Sequence, residues 1–227
     1  MACPVARCRH RYWVVRHGES APNVAGVIVS RPERGLLPEN GLTAIGRAQA
    51  AAAADFLART LAPAAAAAAP LVYTSDFSRA TETAAPIAVA LGAAAAVPEP
   101  RLRERDFGAL EGGSNGAYAA VWTADADDAA HSRFGVESVE AVAARGLAVV
   151  ADVEAAQATS PARDIVLVAH GDVLQILIAA LTGRDLRAHR SLPHLGNGEA
   201  RRVAPAACGA LAAAASPCDA AVADCDA

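Results

Sequence analysis

Three apolar runs in this sequence stop at residues suited to handling a phosphate. Tyr12-Trp13-Val14-Val15 leads into Arg16-His17-Gly18-Glu19-Ser20, Leu71-Val72-Tyr73-Thr74 into Ser75-Asp76-Phe77-Ser78-Arg79, and Ile165-Val166-Leu167-Val168-Ala169 into His170-Gly171-Asp172. His17 offers an imidazole that is largely neutral near pH 7 and so can act as a nucleophile. Arg16 and Arg79 offer guanidinium forks for phosphate oxygens. Gly18 lets the backbone approach a ligand with no Cβ in the way. Each residue alone has a plainer explanation: an incidental basic pair at a strand end, a surface arginine on a first helical turn, a satisfied buried histidine. Together they form a pattern, because in a parallel sheet the carboxyl ends of the strands lie along one edge. Helix N-termini reach the same edge and add partial positive charge for an anion.

The elements that must position these residues are bounded by length and composition. At 227 residues the chain suits one domain, or one with an inserted cap. Apolar residues make up 54% and aromatic ones 4%, and much of the apolar share is alanine, which predicts small-residue helices around a modest aliphatic sheet. A net charge of −4 argues against a general nucleic-acid or membrane surface, so a basic pocket must be local. Of the five cysteines, Cys3 and Cys8 precede the first apolar run, while Cys208, Cys218 and Cys225 lie in the tail. None sits in a C-x-x-C pair or beside a histidine cluster, so no metal site and no thiol nucleophile is expected. The odd count, with no secretory apolar region in the first ten residues, fits a reducing, cytoplasmic setting. No stretch other than alanine is apolar for long enough to cross a bilayer.

Strands alternate with helices, which predicts a three-layer α/β/α sandwich with a mainly parallel sheet and helices on both faces. Thr43 is a fitting N-cap for a helix over 44–61. Further helices are expected over 77–91, 138–159 and 173–181, and short strands over 94–97 and 201–203. Residues 23–40, rich in proline and glycine, read as one long loop beside the site. The alanine run 64–69 reads as a helix extension or connector, and 117–131 as an acidic, poorly patterned helical cap. The catalytic unit is expected over 11–204 with a cap insert at about 113–135, and flexible termini over 1–10 and 205–227.

In this order the stretches resemble the signatures of the histidine phosphatase superfamily, the phosphoglycerate mutase-like proteins. The first match runs from Arg16-His17-Gly18 through Glu19 and Ser20 to Asn23; the second is Ser75-Asp76-x-x-Arg79-Ala80-x-x-Thr83-Ala84; the last is Ala169-His170-Gly171. Leu42-Thr43-x-x-Gly46-x-x-Gln49-Ala50 is similar to the start of the family's first helix. Leu102-Arg103-Glu104-Arg105-Asp106-Phe107-Gly108, followed by Glu111-Gly112, resembles the family stretch that carries a glutamate, here Glu104. Gly135-Val136-Glu137-Ser138 with Arg145, and Asn197-Gly198, match more loosely. The similarity spans about Tyr12 to Val203 and is poorest over 24–39 and 113–134.

The resemblance implies a metal-independent phosphatase that hydrolyses a phosphomonoester through a phosphohistidine, without a cofactor. His17 would attack phosphorus while Glu104 protonates the leaving oxygen. Arg16, Arg79 and His170 would gather the phosphoryl oxygens, with Asn23, Ser20, Gly171 and Asn197 as further substrate contacts. The implied partner is a small phosphorylated substrate, not nucleic acid or a membrane. Two alternatives stay open: a cofactor-dependent phosphoglycerate mutase, and a catalytically weak module that binds a phosphorylated ligand. The acidic run over 121–128 favours hydrolysis, since an acidic lid would repel a phosphoglycerate and leave the phosphohistidine open to water. Arg184, Arg187, His189, Arg190 and His194 form either a solvated surface or a seat for a second anionic group.

Overall fold

The computed structural model describes residues 8–61 and 68–205. Most of the alanine run, all but two residues of its span, and the cysteine-containing tail after 205 lie outside the described residues. In chain order the elements are β1 (Arg11–Arg16), α1 (Ala21–Ala25), α2 (Pro32–Gly35), α3 (Ala44–Leu61), β2 (Leu71–Thr74), α4 (Ser78–Ala90), β3 (Ala96–Pro98), α5 (Tyr118–Asp127), α6 (Val139–Ala156), β4 (Asp164–Ala169), α7 (Gly171–Leu181) and β5 (Ala200–Val203).

The strands form one sheet in the order β3-β2-β4-β1-β5, parallel throughout except for β5, which runs antiparallel to β1. β4 sits at the centre with all six residues buried, which is why it reads as an unbroken apolar run after Asp164. Asp164 itself is buried because Arg11 grips it with two hydrogen bonds, at 2.8 and 2.7 Å, and the Trp13 indole donates to it at 3.2 Å.

Alternation along the strands divides the core. Trp13, Val15, Val72, Val166 and Val168 face α3 and α4, where Ala53, Leu57, Ala84 and Ile87 pack on them. Tyr12, Val14, Ile165 and Leu167 face α6 and α7, against Val149, Val153, Leu174 and Leu177. Each such fully buried aliphatic side chain stabilises the fold by about 1.5–3 kcal/mol. The result is the three-layer α/β/α sandwich that the alternating pattern predicts.

The helices start where the sequence supplies caps. Thr43 Oγ1 accepts from Gly46 N at 3.0 Å, and Ser138 Oγ accepts from Ala141 N at 3.1 Å. Residues 23–40 differ from expectation: instead of one open loop they hold short helical turns, with Pro22, Pro32 and Pro38 each in a first turn, where a missing N–H costs nothing. Arg9 N and His10 N donate to Glu154 at 2.9 and 3.2 Å, which docks this part of the N-terminal segment on α6. A separate small cluster of Ile28, Phe107, Val121 and Val136 seats α5 over the carboxyl edge of the sheet. No described helix is long and apolar enough to cross a membrane.

Candidate active site

The carboxyl ends of β1, β2 and β4 deliver Arg16-His17, Ser75 and His170 to one place, and the first turn of α4 adds Arg79. A cavity of about 200 Å³ opens there, lined by Arg16, His17, Ser20, Asn23, Arg79 and Glu104, among others. Six of the nine residues named from the sequence therefore share one wall with Gly171 as the seventh. His170 lies directly behind His17, with ring centroids 5.2 Å apart. Asn197 does not line the cavity: its amide donates to His17 O at 3.1 Å and to Asn23 Oδ1 at 3.3 Å, so it braces two residues that do.

The hydrogen bonds of His17 fix its tautomer. Nδ1 lies 2.7 Å from Gly18 O, and a carbonyl can only accept, so Nδ1 carries the hydrogen. Nε2 then holds a lone pair, which accepts from Arg79 Nε at 3.1 Å. Burial first, and then the charges of Arg79 and Arg16, push the His17 pKa well below its usual value of 6.5. The ring is therefore neutral at pH 7, with the Nε2 lone pair turned to Arg79. His170 is depressed in the same direction by burial, Arg79 and His17. Its Nε2 lies 2.9 Å from Ser75 Oγ.

Three buried nitrogens around His17 have no partner among the described residues: Arg16 Nε, Arg79 Nη1 and His170 Nδ1. Other nitrogens of the same two arginines are anchored. Arg16 Nη1 donates to Leu195 O at 2.9 Å and meets His194 Nε2 at 2.7 Å, while Arg79 Nη2 donates to Val29 O at 2.9 Å. Buried donors are nearly always satisfied, so three orphans converging beside the His17 lone pair could receive an anion with several oxygens.

Glu104 faces this seat from the loop after β3. Its carboxyl pKa is raised to about 7, chiefly by burial and then by Asp172, against the pull of Arg79, the Arg105 N–H and Arg16. A carboxyl that titrates near neutrality suits a group that gives and takes a proton. A larger cleft, of about 400 Å³, lies on the other side of the Glu104 loop, lined by Ser30, Arg103, Asp106, Glu137 and Arg145. Its arginines are already paired, Arg103 with Asp76 and Arg145 with Glu137, and no histidine lines it, so the smaller cavity is the stronger candidate. Among the described residues no group of three or more His, Cys, Asp or Glu side chains could hold a metal.

Two sequence expectations need correction. Gly18 is not a ligand-approach glycine: a Cβ there would come 2.3 Å from Gly46 O, and a Cβ on Gly46 would come 1.9 Å from Glu19 O. The two glycines let the loop after β1 lie directly on the first turn of α3. The lid is also not acidic where it faces the cavity. Asp125 is buried and paired with Arg105 and His131, while Asp127 and Asp128 point to solvent. The cavity meets Tyr118 and Trp122 instead, with the Arg190 guanidinium 3.7 Å over the Trp122 ring. Of the basic run, Arg190 and His194 line the cavity, His189 is buried, and Arg184 and Arg187 are exposed.

Several supporting residues carried no sequence signal of their role. Ser75 holds His170; Thr83 Oγ1 accepts from Gly18 N at 3.0 Å; Gln49 Oε1 accepts from Glu19 N at 2.7 Å; and Thr43 Oγ1 donates to the Glu19 carboxylate at 2.7 Å. The motif around Thr43, Gly46 and Gln49 thus serves to hold the His17 loop.

A family model described as "Histidine phosphatase superfamily (branch 1)" matches residues 12–213. The chain is 33% identical over 199 residues to the glucosyl-3-phosphoglycerate phosphatase of Mycobacterium tuberculosis, covering 82% of each chain. It is 30% identical over 195 residues to the metal-independent phosphoserine phosphatase of Arabidopsis thaliana, covering 80% of this chain and 75% of that protein. Among solved structures, mycobacterial glucosyl-3-phosphoglycerate phosphatase with VO3 superposes with a TM-score of 0.70 at 31% identity, covering 85% of this chain and 92% of the other. The same phosphatase with inorganic phosphate gives a TM-score of 0.68 at 28% identity, covering 85% and 88%.

Proposed function

The chain belongs to the histidine phosphatase superfamily and is a phosphoric monoester hydrolase, and from that premise we propose that His17 is its nucleophile and Glu104 its proton donor. The observation that carries this assignment is the ring of unpartnered donors, Arg16 Nε, Arg79 Nη1 and His170 Nδ1, around the lone pair of a neutral His17.

The phosphoryl oxygens displace nothing but the Arg79–His17 hydrogen bond. Arg79 turns its Nε–H to an oxygen and frees Nε2 to attack. The Ser75 hydroxyl accepts from Phe77 N at 3.3 Å and can donate to His170 Nε2, which leaves Nδ1–H as the third donor. As the N–P bond forms and the ester P–O bond breaks, Glu104 passes its proton to the departing oxygen. Glu104, now a carboxylate, takes a proton from water as the water oxygen attacks phosphorus. The N–P bond breaks, and neutral His17 and inorganic phosphate result. The two arginines and His170 hold charge through both transfers without a metal ion.

The alcohol part of the substrate lies against Tyr118, Trp122, Arg190 and His194, with Asn23 at the cavity edge. Arg190 donates to Gln175 and lies 3.6 Å from Asp172, yet its Nε and Nη2 have no partner among the described residues. A second anionic group on the substrate fits there. The relatives' names, glucosyl-3-phosphoglycerate phosphatase and phosphoserine phosphatase, describe small phosphorylated substrates, and we extend that class to this chain, in a cytoplasmic setting. Phosphate release from sugar phosphates, phosphoglycerates, nucleotides and phosphoserine tests the reading. Wild-type protein should release phosphate from at least one of them, and His17→Ala from none; near-normal turnover by His17→Ala would end the nucleophile assignment.

A further inference from the structure

Arg105 is the largest fully buried side chain among the described residues; it does not itself line the cavity, but one of its partners, Asp172, does. Its Nη1 and Nη2 fork onto Asp125 at 2.7 and 2.8 Å, Nη1 also reaches Asp172 Oδ2 at 3.3 Å, and Nε donates to Glu137 O at 2.6 Å. Those three partners belong to the cap helix α5, the first turn of α7 beside His170, and the segment entering α6. Asp172 in turn accepts from the Trp122 indole at 3.1 Å, so α5 is tied to the clamp twice. On the main chain, the Arg105 N–H donates to Glu104 Oε1 at 3.0 Å. The peptide unit that orients the Glu104 carboxyl is therefore the one from which the clamp is hung.

A buried ion pair seldom stabilises a fold more than apolar packing of the same size, and its best use is to fix one geometry. We propose that Arg105 is a positioning residue for the proton donor, so that docking of the cap helix and placement of Glu104 are one event. This rests on the reading of Glu104 as the acid. The charged groups that face Glu104 include Arg16, Arg79, Arg190 and Asp172, and Arg105 holds Asp172 as well as the Glu104 carboxyl through its own N–H.

The test is a double-mutant cycle on two kinds of ester. Arg105→Lys keeps the charge but cannot make the fork. Turnover is measured for wild type, R105K, E104Q and the double variant, with 2,4-dinitrophenyl phosphate and with the fastest of glycerol 3-phosphate, 3-phosphoglycerate and phosphoserine. R105K should slow the alkyl ester about tenfold more than the activated one, and that excess should vanish in the E104Q background, where no proton is left to position. An equal loss on both esters, or an excess that persists undiminished with E104Q, would overturn the proposal. If R105K does not fold, Asp125→Asn, which keeps the shape of the partner and loosens the fork, is carried through the same cycle with the same expectation. Should E104Q itself prove indifferent to the leaving group, the acid reading fails and this proposal with it. Sensitivity in E104Q with none in R105K overturns this proposal alone.

Discussion

Arg79 Nε donates to His17 Nε2 across 3.1 Å, so in the free protein an arginine caps the lone pair that, on the proposed mechanism, attacks phosphorus. Burial and then this contact keep the imidazole neutral, because protonating Nε2 would set two positive groups against each other inside a buried site. It also places a donor where the first phosphoryl oxygen arrives. Binding and unmasking of the nucleophile are thus the same exchange of hydrogen bonds.

On the proposed mechanism the proton on Glu104 should set the alkaline limb of activity. Its folded pKa is raised to about 7, so the acid form is present below that pH and lost above it. For alkyl phosphates, kcat should fall about tenfold per pH unit above the limb, while activated aryl phosphates, which leave without a proton, should fall less. Glu104→Gln should cost about 10²–10⁴-fold on alkyl esters, much less on activated ones, and should remove the limb. An unchanged alkaline limb in Glu104→Gln would assign it to another group.

Much of this site was legible because strands announce where they end. Val14-Val15 and Val168-Ala169 are buried, and the next residues, Arg16-His17 and His170, must then emerge at the sheet edge. The cap was not legible. In α5 alanines lie on several sides of the helix, so no period shows that Tyr118 and Trp122 face inward while Asp127 faces out. The partner of Asp125 is Arg105, 20 residues upstream, and nothing local marks that pairing. Gly18 and Gly46 meet only in three dimensions, so the reason for each glycine could not be read from either neighbourhood.

The glycine contact carries a stability prediction. Gly46→Ala would place a methyl 1.9 Å from Glu19 O, and the neighbour is backbone rather than a flexible side-chain end. The loop holding His17 must shift, with an expected loss of about 1–3 kcal/mol in chemical denaturation and a drop in kcat beyond that in stability. Stability and kcat both at wild-type levels would show that the loop yields freely.

The chemistry described uses arginine, histidine and helix ends for positive charge, so EDTA should leave turnover unchanged. Loss of activity on chelation, restored by one divalent metal, would contradict it and make His17 and His170 candidates for ligands.

Hydrolysis rather than mutase chemistry is expected, now on the strength of the phosphatase relatives and not of an acidic lid. With 3-phosphoglycerate and catalytic 2,3-bisphosphoglycerate, free phosphate should be the main product. Rapid formation of 2-phosphoglycerate far in excess of phosphate would reverse the assignment.

The central claim is that phosphorus becomes bonded to His17 Nε2. Rapid acid-free quenching of the protein during turnover of a good substrate, followed by peptide mapping at alkaline pH, reads that bond directly, because a phosphohistidine survives base and is lost in acid. The account predicts a burst of phosphorylated protein with the label on His17, absent from His17→Ala. Label on any other residue, or turnover at full rate with no phosphorylated protein under conditions where the second step is limiting, would contradict it.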